Sequence, residues 1–576
     1  MRCRAPVRPF FLPYTVMKRL RWQILVVLVT LIVVWILLVS QQPVTTPILS
    51  QPTSGGIYTE AIIGKFGRLN PLFDGYNPAD QNIDRLIYSS LVRFDDQGIA
   101  RPDLAESWGI SQDGTIYNFS IRRNATWHDG QPVTADDVIF TLTLIRSPSS
   151  AIPEDILELW NQVQITKLDS WTIKFTLPEP FAPFLDYLTF GILPEHLLTG
   201  VPEDQLINVE FNLNPIGSGP YRFDHLVLDG DQITSVVLTV NEAYFEKIPY
   251  IEEIVFRYYG TSEDALTAYQ EGEVLGISQI TSNILDQALL EENLSIYSSR
   301  LSQLCMVIFN LNNPQVPFFQ EKEVRQALLM GINRQLLINK VLKGQAVLAN
   351  SPILPGTWAY YEGMEIFNYD PDAAIALLKD AGYILPSDGE GRSKEGVTLA
   401  FPLLYPDEEM YRQIAEQIQN DWALLGVIIS LEPIRFEQLV NDYLIPRSYS
   451  AALVSIDFSN THDPDPYPFW HQSESITGQN YSQWNNRTAS EYLEQARVIV
   501  DPSMRLKLYR NFQVIFSKDI PALLLYYPIY TYGVDERVRG VQTCSLFTSS
   551  DRFNNISDWY LVTKRALERG TNPETP

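Results

Sequence analysis

Beyond residue 56 the chain alternates between two hydrophobic rhythms. Short segments with apolar and β-branched residues at period two predict strands: "GIYTEAIIG" (56–64), "YNFSIRR" (117–123), "WTIKFTL" (171–177), "ITSVVLTV" (233–240) and "IEEIVFRYY" (251–259). Between and after them, apolar residues recur at a spacing near 3.6 and predict helices. "EDALTAYQEGE" places Ala265, Leu266 and Tyr269 on one face. "EVRQALLMGINRQLLINKVL", "DPDAAIALLKDAGY" and "EEMYRQIAEQIQNDWALLGV" follow the same rule. In "DPDAAIALLKDAGY", Asp370 suits the N-cap, Pro371 the first helical position and Gly382 the C-terminal cap. Strands and helices interleaved in this way predict α/β domains with mixed sheets. At ~100–200 residues per domain, the 576 residues correspond to three or four domains.

One apolar segment follows neither rhythm. Ile24–Val39 carries no charge over 16 residues, between the ~7–15 of a signal-peptide core and the ~20 of a membrane span. Six Arg and Lys precede it, and no Asp or Glu occurs in the first fifty residues. This asymmetry predicts a cytoplasmic N-terminus and an exported body. "LLVSQQPVTTP" offers no nearby small-x-small cleavage site, so an uncleaved signal anchor, a transmembrane helix, is favoured over a cleaved signal. Residues 41–56, rich in Pro, Ser, Thr and Gly, read as a linker.

Charge narrows the partners. The net charge is −25 although the N-terminus is basic, so the body would repel a phosphate backbone, and nucleic-acid binding is not expected. Export permits disulfides. Cys3 precedes the apolar run, leaving Cys305 and Cys544 either as two small buried hydrophobes or as a bridge.

The chemistry-bearing residues concentrate in "WHDGQPVTADDVIFT" (127–141). Asp-Gly signals a turn, and Thr134 with Asp137 has the spacing of a capping box. Asp136 and Asp137 would then sit at the positive end of a helix dipole. The alternative is a metal site from His128, Asp129, Asp136 and Asp137. His462 and His471 form a second such candidate without a third close ligand. The five histidines show no H-E-x-x-H pair. No P-loop, G-x-G-x-x-G or G-x-S-x-G elbow is present. A secreted hydrolase using the Asp and His residues is therefore the weaker rival to a binding protein that needs no cofactor.

The same stretch resembles the most recognisable segment of the peptide/nickel-type solute-binding proteins of ABC importers, the extracellular solute-binding protein family 5. Further segments agree in the family's order. They include "GGIYTEAIIGKFGRLNPLF" (55–73), "PDLAESWGISQDGTIYNFSIR" (102–122), "NPIGSGPYRF" (214–223), "VRQALLMGINR" (324–334), "DPDPYPFWHQS" (463–473) and "DRFNNISDWY" (551–560). The resemblance covers nearly everything after the linker.

It implies a two-lobed periplasmic-binding-protein-like α/β fold with an extra domain. A basic N-terminus (1–22), signal or anchor helix (23–40) and linker (41–54) would lead into lobe I, made of 55–93, 213–308 and 532–565. The accessory domain would be 94–212, lobe II 309–531, and 566–576 a tail. The lobes would close around a solute by hinge bending, and a permease with its ATPase would read the closed form. The solute expected is an oligopeptide, with a nickel complex, a sugar or another small solute as alternatives. The protein would be an extracytoplasmic monomer, held to the membrane by its N-terminal helix or released.

Family peptide binders pair the peptide amine with an aspartate in the region of "THDPDPYPFWHQS". By that resemblance Asp463 is the favoured partner and Asp465 the alternative. Trp470 and Trp358 are candidate aromatic walls, and Asn312, Asn480 and Tyr481 candidate polar contacts. No residue is assigned to a ligand carboxylate, and Arg325 reads as structural.

Overall fold

The computed structural model describes residues 22–23, 25–35, 48–147, 154–387, 389, 391–459, 461–542 and 545–567. The chain divides into two compact units, one of Met1–Pro52 with Thr563–Pro576 and one of Thr53–Val562. The smaller includes a helix over 25–35, and Ile48–Thr53 pairs with Val562–Leu567 in a two-stranded sheet. The expectation of a transmembrane helix or signal anchor is corrected here: no helix among the described residues is long and apolar enough to cross a membrane. Residues 36–39, Cys3 and Cys544 lie outside the described residues.

In the larger unit, two mixed sheets share the strand Ala522–Asp535. The first sheet is centred on Ile57–Ile63, which runs parallel to Glu253–Tyr259 and to the short Gly276–Ile277. Gln232–Val240 and Tyr221–Asp229 extend it antiparallel. The second sheet orders Ile428–Ile434, Ala400–Pro406, Ala451–Asp457 and Gln303–Phe309. One continuous stretch of chain serves both. Leu294–Arg300 pairs with the Ile529–Asp535 end of the shared strand, and Gln303–Phe309 pairs with its beginning.

Period-two alternation explains why the second sheet is covered on both faces. Cys305, Val307 and Phe309 point into one core, and Leu304, Met306 and Ile308 into another. Cys305 is thus a buried free thiol, pushed up to about 11 by burial.

A separate four-stranded antiparallel sheet runs Ala105–Ile110, Ile116–Ile121, Thr172–Thr176, Gln164–Asp169. The helix Ala135–Ile145 lies beside it, its first residue hydrogen-bonded to the turn at Ser170. The helices follow the local signals. Asp370 accepts from the Ala373 N–H at 2.9 Å, Pro371 opens the helix, and Gly382 takes a φ of +94° beyond its end. The segment 323–342 divides into two helices, Lys322–Met330 and Arg334–Lys340. Asn333 ends the first pattern by capping the second, accepting from the Leu336 N–H. Near the C-terminus, fully buried Arg552 pairs with Glu60 and Asn82, fastening "DRFNN" to the first strand and the helix after it.

Candidate functional site

The stretch 127–141 is architecture. Thr134 and Asp137 form the capping box: the Asp137 carboxylate accepts from the Thr134 N–H at 2.8 Å. Its other oxygen accepts from the Glu195 N–H at 3.0 Å. Asp136 pairs with Lys167 and Asp129 with His196. His128 docks onto "NPIGSGPY": its Nδ1 accepts from the Gly217 N–H at 3.1 Å, and its Nε2 donates to the Gly219 carbonyl at 3.2 Å. Both positions demand glycine, because a Cβ would lie 1.9 Å from Ile87 O at Gly217 and 2.4 Å from Leu86 O at Gly219. Burial holds the His128 imidazole down, to about 4. Among the described residues, no three His, Cys, Asp or Glu side chains are grouped to hold a metal ion.

"THDPDPYPFWHQS" joins two parts of the molecule. The His462 and Asp463 N–H groups both donate to Asp186, at 3.1 and 2.7 Å. The His462 ring stacks on Phe94 with centroids 4.6 Å apart. The Asp463 carboxylate accepts from Arg505 through both oxygens, each at 2.6 Å. Burial pushes Asp463 up, to about 6, against the pull of Arg505; the same pairing raises the guanidinium above its ordinary value. Asp465 likewise holds Arg497 at 2.7 Å. Both aspartates proposed from the sequence therefore already have cations.

The other sequence candidates fall into two groups. Trp358 packs on Tyr509 and Arg505, and its backbone N–H reaches Gln97 O at 3.2 Å. Asn480 is fully buried: its amide donates to His471 O and Trp484 O, and its Oδ1 accepts from Ser482 and the Trp484 N–H. It pins the turn over 480–484. Asn312 is exposed, its backbone N–H held by Asn310. Trp470 and Tyr481, by contrast, both line one cavity of about 240 Å³.

That cavity opens at the end of Ala451–Asp457. Ile308, Ile456, Trp470, Tyr481 and the helical turns from Phe436 to Leu444 make it largely apolar. The stretch Leu439–Leu444 is π-helical, a distortion common at functional sites. Asp457 is the one formally charged side chain in the lining. It is exposed, accepts from Gln303 Nε2 at 3.0 Å and the Ser459 N–H at 2.8 Å, and meets no cation among the described residues. Sequence reasoning passed over Asp457. The signal available was its place at the last position of an apolar strand, where a side chain emerges at a sheet's end.

Three residues before Gln303, half-buried Arg300 sits where the chain passes from one sheet to the other. Burial pulls its guanidinium down, Tyr527 and Tyr360 oppose this, and no carboxylate contributes. Its guanidinium makes no hydrogen bond or ion pair among the described residues, and it abuts Gly356, where a Cβ would come within 2.9 Å.

Two mixed sheets sharing a long strand fit a two-lobed periplasmic-binding-protein-like α/β fold. The chain is similar to the oligopeptide-binding protein AppA of Bacillus subtilis solved with a nonapeptide (TM-score 0.67, 25% identity, covering 89% of this chain and 100% of that one). It is also similar to NikZ of Campylobacter jejuni in complex with Ni(L-His) (TM-score 0.66, 25% identity, 88% and 99%). In sequence, it is 26% identical to AppA over 89% of this chain and 93% of the relative. It is 27% identical to the dipeptide-binding protein of Escherichia coli over 79% and 86%. Residues 100–479 match the family described as bacterial extracellular solute-binding proteins, family 5 Middle. The chain belongs to the bacterial extracellular solute-binding proteins of family 5. It is an extracytoplasmic solute-binding subunit of an ABC importer and is not an enzyme.

Proposed function

We propose that the solute is a peptide whose amine is held by Asp457, in a cleft closed by hinge motion between 309–531 and the lobe formed by 55–93, 213–308 and 532–565. The observation that carries this reading is an exposed aspartate, without a cation among the described residues, at the end of a strand whose last residues line an apolar cavity. Such a group pairs with an ammonium by charge-assisted hydrogen bonds, which are about twice as strong as neutral ones. Trp470 and Tyr481 supply the aromatic walls, and Asp463 clamps Arg505. Arg300, desolvated and without an anion, is the cation offered to the peptide carboxylate. A solute that touches both lobes only when they are closed shifts the population towards closure, and the permease takes the closed form.

The peptides bound by AppA and named for the dipeptide-binding relative support this class over a metal complex. Native mass spectrometry of the protein before and after denaturing removal of ligand tests it. Adducts at peptide masses, restored by a peptide mixture, are expected. A single adduct at the mass of a metal complex or sugar overturns the peptide class.

A further inference from the structure

We infer that His462 is the centre of a latch between the body built on the first sheet and the body built on the second, and that this latch sets how readily the cleft closes on any solute. The inference rests on the hinge reading above and is independent of what the solute is.

The cores define the two bodies. Beneath the first sheet, Tyr58, Ile62 and Phe256 belong to one apolar cluster with Phe119, Phe175 and Phe184 of the four-stranded domain. The two cores of the second sheet contain, among the described residues, none from 94–212. A shared close-packed core does not slide apart without exposing apolar surface. The four-stranded domain therefore travels with the first sheet. Its contacts with the second body are polar and ring contacts at loops, and such contacts can break and re-form.

They converge on His462. From the first body, Phe94 stacks on the imidazole with centroids 4.6 Å apart and planes 13° apart, and Phe547 is a second ring neighbour at 4.5 Å. Asp186 is buried on the segment Ala182–Leu188, whose Phe184 and Leu188 lie in the first core. It accepts from the His462 and Asp463 N–H groups, and its carboxylate lies 3.4 Å from His462 Nδ1. The turn at 95–98 presses on the same point. A Cβ at Gly98 would lie 2.7 Å from the His462 carbonyl oxygen, and Gln97 O accepts from the Trp358 N–H. From the second body, Arg505 holds Asp463, and the helix that carries Arg505 sets Tyr509 and Phe512 into a core of the second sheet. Each side of the latch is thus anchored in a different core. None of the latch residues Phe94, Gln97, Gly98, Asp186, His462 and Phe547 lines the cavity at Trp470.

A latch of this kind acts on closure and not on the solute. The apparent affinity for a solute that needs the closed form falls with the fraction of protein that is closed. Losing the latch therefore weakens every solute by one factor and leaves their ranking unchanged. An aromatic contact such as that of Phe94 with His462 corresponds to about 2- to 10-fold in an equilibrium constant.

Small-angle X-ray scattering of the parent, His462→Ala, Gly98→Ala and the double variant tests the latch, first after denaturing removal of ligand and refolding, then during titration with a tryptic peptide mixture. The ligand-free variants should show a larger radius of gyration than the ligand-free parent. The peptide concentration that gives half of the compaction should rise about 2- to 10-fold. The double variant should go little beyond the stronger single one, because both substitutions break one contact. His462→Phe keeps a ring against Phe94 and should stay within about twofold of the parent. Variants that lose thermal stability yet match the parent's radius and midpoint make His462 a packing residue only and overturn the latch. A parent that fails to compact with the peptide mixture counts against the peptide reading alone, and the ligand-free radii still decide the latch.

Discussion

The carboxylate of Asp463 is clamped by Arg505, which donates one hydrogen bond to each oxygen at 2.6 Å in a buried setting. The same residue's N–H reaches Asp186, from a different part of the chain, at 2.7 Å. Asp463 thus fixes the loop carrying Trp470 to the helix Pro502–Asp519 and to the segment Ala182–Leu188. Breaking a buried pair by removing one partner strands a charge and costs ~3–5 kcal/mol. Asp463→Ala should lower unfolding stability by that amount in urea titration, and Asp463→Ala with Arg505→Met should recover part of it. A single variant as stable as the parent would mean that the pair is open in solution and that Asp463 is available to a ligand.

Asp457 presents the opposite case, an exposed carboxylate that accepts from an amide and an N–H and meets no cation among the described residues. Asp457→Asn should leave thermal stability within about 1 °C, because surface substitutions of this kind change it little. It should weaken binding of a free-amine peptide about 10- to 100-fold, the value of a hydrogen bond to a charged group. The N-acetylated peptide should bind parent and variant alike. Equal affinity of parent and Asp457→Asn for the free amine would remove Asp457 from the site.

Much of this arrangement was legible in the sequence. Period two and period 3.6 located the strands and helices, since both are local consequences of which face is buried. The capping box at Thr134 and the caps at Asp370 and Gly382 could be read because their partners lie within a few residues. The site was less legible for the same physical reason. That Asp463 holds Arg505, 42 residues away, and that Asp457 holds Gln303, 154 residues away, depends on sheet pairing that no local spacing encodes. Trp470 and Tyr481 emerged at the cavity, whereas Asn480, the residue before Tyr481, directs its side-chain hydrogen bonds to His471 O and to Ser482 and Trp484 of its own turn. The apolar run at 24–39 was read as a membrane span from its hydrophobicity, whereas no helix among the described residues is long and apolar enough to cross a membrane.

Arg300 gives a prediction about the other end of the ligand. With no anion near it, its guanidinium should favour a peptide with a free C-terminal carboxylate over the amide. Arg300→Met should abolish that preference while leaving affinity for the amide close to the parent's. The ratio of the two dissociation constants, measured for parent and variant, checks it. A ratio that survives the substitution assigns the carboxylate to a different group.

The last prediction concerns pH and the segment 127–141. His128 is neutral in the fold, because its Nδ1 accepts the Gly217 N–H and a proton there would replace an attraction by a repulsion. Burial brings it from the ordinary 6.5 to about 4. The unfolded chain therefore binds this proton more readily than the folded one. The contribution to stability is complete above about 6.5 and is lost as pH falls through about 4. At ~1.4 kcal/mol per unit it amounts to at most about 3.5 kcal/mol, less where water reaches the half-buried ring. Replacing His128 with Gln removes the titrating group. The parent should lose several degrees more than His128→Gln between pH 6.5 and 4 in thermal unfolding, and the two curves should run parallel above pH 7. Parallel curves over the whole range would mean that the imidazole does not hold its neutral form through these contacts, and that the docking of 127–141 onto 217–219 rests on the backbone bond from the His128 N–H to Gly217 O alone.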